Sequence, residues 1–299
     1  MKLERFSDFG GRYLLVAVFA VCVSVCSRSA SAYIIRTTRS ESMGGTRESF
    51  NNDASVIFLN PAAVSNIDVP LFYFDYTGNH ISGMKGAFVY PLKEMEMGFS
   101  FYRRRNKLNE AAESVAAGIS KKLFSGTPST YLEIGATLRI DRFIFDIYSG
   151  CSSCNETRVS DSDITGDIGI IIRPVPPVSF RYTAAGLRER NKLDYDSDVL
   201  SERGSWFGAT LYLKEKLLVS WEGEYRGSHL INHYGFCLET GAPLELMAGF
   251  SEGFISGGVR LRWNFIRSSV AFFRNNKGNI QGRVSLELEP GRFPATFFK

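Results

Sequence analysis

The sequence predicts an all-β fold, a transmembrane antiparallel β-barrel of about fourteen strands. Three observations predict it. From Val69 onward, short runs alternate apolar and polar residues with period two. Most of these runs are about 8–12 residues long, as a tilted strand crossing a bilayer requires. The connections between them are short after every second strand, and the two longest fall on the opposite set.

The chain opens with a secretory signal peptide, residues 1–32. Lys2, Arg5 and Arg12 form its basic start, Leu14 to Cys26 is mostly apolar, and Ala30-Ser31-Ala32 supplies the cleavage site. The mature chain is expected to begin near Tyr33. The apolar run falls short of the about 20 residues a spanning helix needs. No other stretch reaches that length, so no helical membrane domain follows. Cys26 makes a weak acylation site because Val25 is larger than the small residue usually required before it.

Charge narrows the function classes. The chain has 35 Lys+Arg against 31 Asp+Glu. The signal carries Lys2, Arg5, Arg12 and Arg28 against Glu4 and Asp8, so its removal leaves the mature chain only slightly basic. A nucleic-acid partner has no charge argument behind it. Aromatics at 13% and 28 glycines suit many strands and tight turns in one large β domain, residues 68–299.

Residues 33–67 precede the strands and carry helix punctuation. Asp53, ahead of Ala54-Ser55-Val56-Ile57-Phe58-Leu59, can cap a short helix by accepting its first free N–H groups. Pro61 stops that helix and pushes Asn60 toward extended backbone. Gly44-Gly45 lacks the Lys-Ser/Thr of a phosphate loop.

Fourteen strands are expected, near 69–77, 81–90, 95–104, 113–123, 130–146, 163–173, 178–186, 205–213, 217–226, 230–239, 244–251, 256–264, 267–274 and 280–289. Leu132, Ile134, Ala136, Leu138 and Ile140 alternate with Glu133, Gly135, Thr137 and Arg139. Val259, Leu261 and Trp263 likewise alternate with Arg260, Arg262 and Asn264. Side chains in a strand point to opposite faces, so each run has one apolar and one polar face. Soluble sandwiches alternate in the same way. The count is even, as single-chain bacterial barrels require. Connections after even strands are short, such as Leu92-Lys93-Glu94, Pro174-Val175-Pro176-Pro177 and Phe265-Ile266. The two longest, Tyr148–Ser162 and Leu187–Gly204, follow odd strands. Short periplasmic turns and longer outside loops are the arrangement of such barrels.

The face opposite the apolar one carries Glu133, Arg139, Asp167, Arg173, Glu222, Glu224, Arg260, Arg262 and Glu287. These residues either line a polar path or pair across strands in a filled lumen. The near balance of signs favours pairing. Tyr73, Phe88, Phe99, Phe101, Trp206, Trp221, Tyr225, Phe236, Trp263, Phe272 and Phe273 supply aromatics for girdles at the membrane interfaces. They would equally suit a soluble core.

Neither the cysteines nor the histidines make a persuasive chemical centre. Cys151 and Cys154 form a lone C-x-x-C, which in an exported protein suits a local disulfide better than zinc. Cys237 falls on an expected strand and acts as a small apolar residue. His229 and His233 share one face if their strand starts at His229, but a catalytic site would need a nucleophile and an orienting group in reach. Two histidines do not make a metal site. No enzyme activity, cofactor or metal is expected.

The stretch Ser42 to Val64, with its Gly44-Gly45 pair, Asp53-Ala54-Ser55, an aromatic-aliphatic run and Asn60-Pro61-Ala62, resembles the N-terminal plug of FadL and PorV-like outer-membrane β-barrels. The second half is similar more loosely, through His233 to Glu239, Leu246 to Phe250, Gly257 to Leu261 and Arg283 to Leu286. Ala248 stands where the family often has Arg, and the chain runs on to Phe297-Phe298-Lys299 past the last strand. In style it is most similar to the FadL-like barrels of spirochaetes. The resemblance implies a bacterial outer-membrane location amid outer-membrane lipid. It also implies that residues 33–67 form a plug, or hatch, in which Gly44, Gly45, Asp53, Asn60 and Pro61 either gate the lumen or only pack the wall. FadL-type relatives imply passive uptake of hydrophobic small molecules such as long-chain fatty acids. PorV-like relatives imply instead a component of protein secretion that binds an exported protein partner.

Overall fold

A computed structural model of the chain describes residues 36–47, 53–77, 82–105, 111–127, 130–147, 157–186, 204–213, 216–226, 229–240, 243–275, 278 and 280–290. The expected signal peptide and the Cys151–Cys154 pair lie outside the described residues.

Three short helical pieces come first: α1 over Thr38–Ser42 and two 3-10 helices over Ala54–Phe58 and Pro61–Asn66. Fourteen strands follow. These are β1 Leu71–Thr77, β2 Ser82–Pro91, β3 Glu96–Arg105, β4 Ala111–Thr127, β5 Thr130–Ile147, β6 Thr157–Val175 and β7 Val178–Ala185. The second half comprises β8 Gly204–Leu213, β9 Leu217–Arg226, β10 His229–Glu239, β11 Leu244–Ser251, β12 Phe254–Trp263, β13 Ile266–Asn275 and β14 Ile280–Leu288. Each strand pairs antiparallel with its sequence neighbours, and β1 pairs with β14, Phe72 opposite Leu288, so the sheet closes into a barrel. Closure removes the free edges an open sheet would expose.

The barrel is inverted relative to a soluble β protein. Its outer positions are apolar and open, with Val115 63%, Leu138 62% and Trp263 79% exposed. Its inner positions are polar and closed, with Glu133 and Glu222 0% exposed. Alternation is common to both kinds of protein, but which face is covered separates them.

Local chemistry fixes the ends of the strands. β12 and β13 pair through Trp263 and Ile266, which leaves a two-residue turn. Asn264 occupies it with φ 51, the left-handed region that Asn tolerates better than most residues. Pro174 lies inside β6, not in the turn beyond it, at a register shift between Ile172 and Val175. A proline is tolerated in a sheet where the ladder is already interrupted. β4 ends similarly, with shifts between Lys122 and Phe124 and between Ser125 and Thr127, and it runs through Gly126-Thr127.

Two strands are longer than the alternation suggests. β6 starts at Thr157, where the sequence pattern begins near residue 163, and pairs Thr157 with Ile147 of β5. Its first residues, Thr157-Arg158-Val159-Ser160-Asp161-Ser162-Asp163, lack a regular apolar face. They extend past the point where β6 stops pairing with β7, at Ile168 opposite Ala184. A hairpin standing clear of the apolar belt has no reason to carry that pattern. The aromatic set also divides. Tyr73, Trp206 and Phe273 share the register of the inner face, and Tyr73 and Trp206 are buried. They do not belong to an outer girdle.

Candidate functional site

The site is the interior of the barrel and the N-terminal residues that occupy it. Thr37 begins α1 by accepting from the Ser40 N–H, as an N-cap does. The chain then turns sharply at Gly44 and Gly45, φ 71 and 90, a conformation that side-chain-bearing residues rarely adopt. Asp53 caps the first 3-10 helix by accepting from the Ser55 N–H at 2.8 Å. Pro61 begins the second 3-10 helix rather than merely ending the first, and Asn60 caps it by accepting from the Ala62 N–H at 2.9 Å. Pro61 fits there because the first helical position needs no N–H donor.

These pieces reach opposite walls. α1 packs on β11 to β14, the first 3-10 helix on β1 to β3, and the second on β3 to β6. Ala54, Val56, Ile57, Ala62, Ala63 and Val64 join Leu71, Tyr73, Val89, Tyr131 and Ile171 of the wall in one buried apolar cluster. It lies toward the end of the barrel that carries the short turns.

Glycines in the wall let the segment lie flush against it. A Cβ on Gly135 would come within 2.4 Å of the Pro61 backbone, and one on Gly169 within 1.9 Å of Asn60 Oδ1. Gly135 and Gly169 are cross-strand partners. On the far side Gly235 and Gly249 are also partners, and there Met43 and Gly44 press equally close. Two paired gaps, on opposite walls, therefore receive the two ends of one segment.

Polar contacts complete the seat. Thr38 donates to Asp75 from its N–H at 2.9 Å and its hydroxyl at 2.8 Å. Arg39 pairs with Glu245 at 2.9 Å. The Gly44 N–H donates to Ser256 Oγ at 2.9 Å, and the Gly44 carbonyl lies 3.0 Å from His233 Nδ1. Asn60 Nδ2 donates to the Tyr182 carbonyl at 3.2 Å. Arg260 approaches Asp53 at 3.4 Å and Glu287 at 3.3 Å. Burial raises the Asp53 carboxyl most strongly of any single cause, but the Arg260 guanidinium, the hydrogen bond with Glu287, the charge of Arg39 and the Ser55 N–H together outweigh it and hold the group at about 2. Arg47 stacks on Trp206, 3.5 Å from the ring centroid, and donates from its N–H to Glu222 at 3.1 Å. Burial brings the Arg47 guanidinium down to about 10, with Glu222 the chief opposing charge.

The expected inner set separates into interior and rim. Glu133 accepts from Asn66 at 2.9 Å, and Arg139 bridges Asp141 at 2.9 Å and Asp167 at 3.1 Å. Glu222 pairs with Arg181 at 2.9 Å, and Glu224 lies 3.0 Å from His233 Nε2. Arg267 reaches Glu287 at 2.6 Å. Arg173 instead bonds the Pro176 carbonyl, and Arg262 is 42% exposed beside Glu239 and Glu245. Both sit at the rim with the short turns. Both ring nitrogens of His233 are engaged, so the ring offers a nucleophile no free base.

Several partners were not evident in the sequence. Arg181, Glu245, Asp75, Lys85 and Arg283 all take part in the interior network. Strand parity was the available signal, since each aligns with an inner residue of its neighbour. In β1 the alternation is masked because Leu71-Phe72-Tyr73-Phe74 is apolar on both faces.

Among the described residues, the interior keeps little open space. Two cavities beneath the segment measure about 10 Å³ each. One of about 170 Å³ lies at the opposite end, among residues including Arg36, Lys85, Arg104 and Arg283. On the outer wall, Phe236, Ala248, Phe250, Phe254 and Ile255 line a shallow recess of about 600 Å³ that reaches Gly249 and Ser256. That places its floor beside the Gly44 turn.

No protein-family model and no curated protein matches the sequence. Solved structures do match the fold. A Pseudomonas aeruginosa FadL homologue aligns over 87% of this chain and 100% of its own, at 11% identity and a TM-score of 0.58. The Ralstonia pickettii toluene transporter TbuX aligns over 85% and 98%, at 10% identity and 0.61. The P. putida toluene transporter TodX aligns over 87% and 99%, at 11% identity and 0.60.

Proposed function

We propose that this chain, which has the FadL-type barrel fold, is a bacterial outer-membrane protein for passive uptake of hydrophobic small molecules. Residues 33–67 act as its plug. The carrying observation is the way the segment is attached. Its described residues, 36–47 and 53–67, take no part in the strand ladder, so they can shift without breaking the wall. Its hold consists of caps, ion pairs and close packing against paired glycines. Gly44, Gly45, Asp53, Asn60 and Pro61 shape the piece that moves.

The apolar belt supports the location, since a lipid-facing surface needs no polar cover. The outer-wall recess supports the ligand class. It is mainly apolar, falls within the size range of small-molecule sites, about 300–1,000 Å³, and touches the Gly44 turn through Gly249 and Ser256. An apolar molecule partitioned into the membrane would meet the wall there, behind the Gly44 turn, and would enter once the paired strands β11 and β12 part. Long-chain fatty acids belong to this class, as does toluene, which TbuX and TodX are named for transporting.

Native mass spectrometry of the protein extracted from outer membranes in mild detergent, with lipid analysis of what co-purifies, tests the reading. A stoichiometric apolar molecule, lost on deletion of Asn60-Pro61, supports uptake. A bound exported protein in its place moves the assignment to secretion, and an empty barrel with no uptake of labelled hydrocarbon in vesicles rejects transport.

A further inference from the structure

The cavity at the end opposite the short turns is cationic. Arg36, Lys85, Arg104 and Arg283 border it, and Glu41 is the one acidic residue in its lining. Asp75 stands just behind, 3.9 Å from Lys85 and 3.7 Å from Arg283. Glu41 lies 3.5 Å from Arg283 and 3.9 Å from Arg36. Among the described residues, two carboxylates thus face four basic side chains. Arg104 has no acidic partner among the described residues. It sits opposite Gly83 of β2, which has no side chain to close the gap. Lys85 is 3% exposed, so part of this charge is withheld from bulk water. A cleft in which cations outnumber carboxylates focuses positive potential and attracts an anion.

We propose that this cavity binds an oxyanion of the phosphate type, either free phosphate or the phosphate of a lipid head group. The excess of basic over acidic side chains among the described residues favours an anion. Arginine forks match the oxygens of a tetrahedral anion, and lysine adds a point charge. At about 170 Å³ the cavity admits a head group and not an acyl chain. The tail of a lipid would remain outside, toward the mouth. This inference stands apart from hydrocarbon uptake in the chemistry of its ligand and in Lys85, Arg104 and Arg283, although Arg36 stacks on Phe254 of the outer-wall recess, 4.7 Å from the ring centroid.

Calorimetry on the full mature chain in nonionic micelles tests it, with inorganic phosphate, dodecyl phosphate and dodecanoate as probes. Saturable binding of inorganic phosphate assigns the free ion, and binding of dodecyl phosphate alone assigns the head group. Either is expected to weaken at least 10-fold in Arg104→Gln and to persist in Arg104→Lys. Arg173→Gln, at the other end of the barrel, is expected to leave it unchanged. Heat-modified gel mobility checks that each variant is a closed barrel. Binding of neither phosphate probe, binding indifferent to Arg104→Gln, or dodecanoate binding as tightly through Arg104 would overturn the proposal. Phosphate binding lost with hydrocarbon uptake intact removes this site alone.

Discussion

Arg260 is the residue on which the interior charges converge. It is 2% exposed and lies within 4.0 Å of Asp53, Glu245 and Glu287. Removing one partner of a buried pair leaves the others desolvated and unpaired, at a cost of about 3–5 kcal/mol. Arg260→Gln is therefore expected to lower the melting temperature in detergent and to expose Arg39 and Arg47 to trypsin, whereas Arg260→Lys retains part of the hold. Acid should act on the same contact. The Asp53 carboxyl drops from 3.8 to about 2 on folding, so its contribution is present above its unfolded value and lost as pH falls toward 2. Trypsin is inactive there, so the acid arm is read with pepsin. Cleavage within residues 36–67 should begin between about pH 4 and 2, and protection persisting at pH 2 would show that Asp53 does not contribute to docking.

At the scale of elements, the hairpin of β5 and β6 stands out because β6 continues eleven residues beyond its last pairing with β7, from Thr157 to Asp167. If the short turns face the periplasm, this hairpin projects from the cell. Ser160→Cys, at an exposed position, should then react with a membrane-impermeant maleimide on intact cells. Glu94→Cys, in the β2–β3 turn, should react only after the membrane is opened. The reverse labelling would invert the barrel. Strand existence was legible because the outer face carries a strict apolar alternation, as in Ile134, Leu138 and Ile140. The start of β6 was not, because it has left the apolar belt and only its pairing with β5 defines it. The caps Asp53 and Asn60 were legible as residue types. The glycine seat was not, since Gly135, Gly169, Gly235 and Gly249 acquire meaning only when register brings them opposite one another. The convergence on Arg260 was hidden for the same reason: Asp53 and Arg260 lie on distant parts of the chain.

For the whole molecule, the fit between segment and wall decides whether the lumen is open. Gly169→Leu places a branched side chain where even a Cβ would overlap Asn60 Oδ1, at 1.9 Å. The substitution is expected to displace the segment without breaking the ladder, raising single-channel conductance in planar bilayers several-fold. Gly282→Ala is the matched control, since its nearest neighbour stands at 3.7 Å. A closed channel in Gly169→Leu, with the barrel intact, would mean that the segment is part of the wall's architecture and not a stopper.

The two-walled seat also constrains how the molecule is made. The segment precedes every strand, yet Arg39 needs Glu245 and the backbone carbonyl of Arg36 accepts from Arg283, 206 and 247 residues later. Contacts so distant in sequence form late, because the intervening chain must first be brought together. The α1 end of the segment would therefore be the last to find its place. Val56, Ile57 and Val64 can pack on β1 to β6 once those strands are in place, but Met43 has no cover until Leu218, Cys237 and Met247 of β9 to β11 arrive. A chaperone that shields the α1 end during passage would be protecting the closing step of assembly, and a chain cut short before β11 would leave that end without its wall.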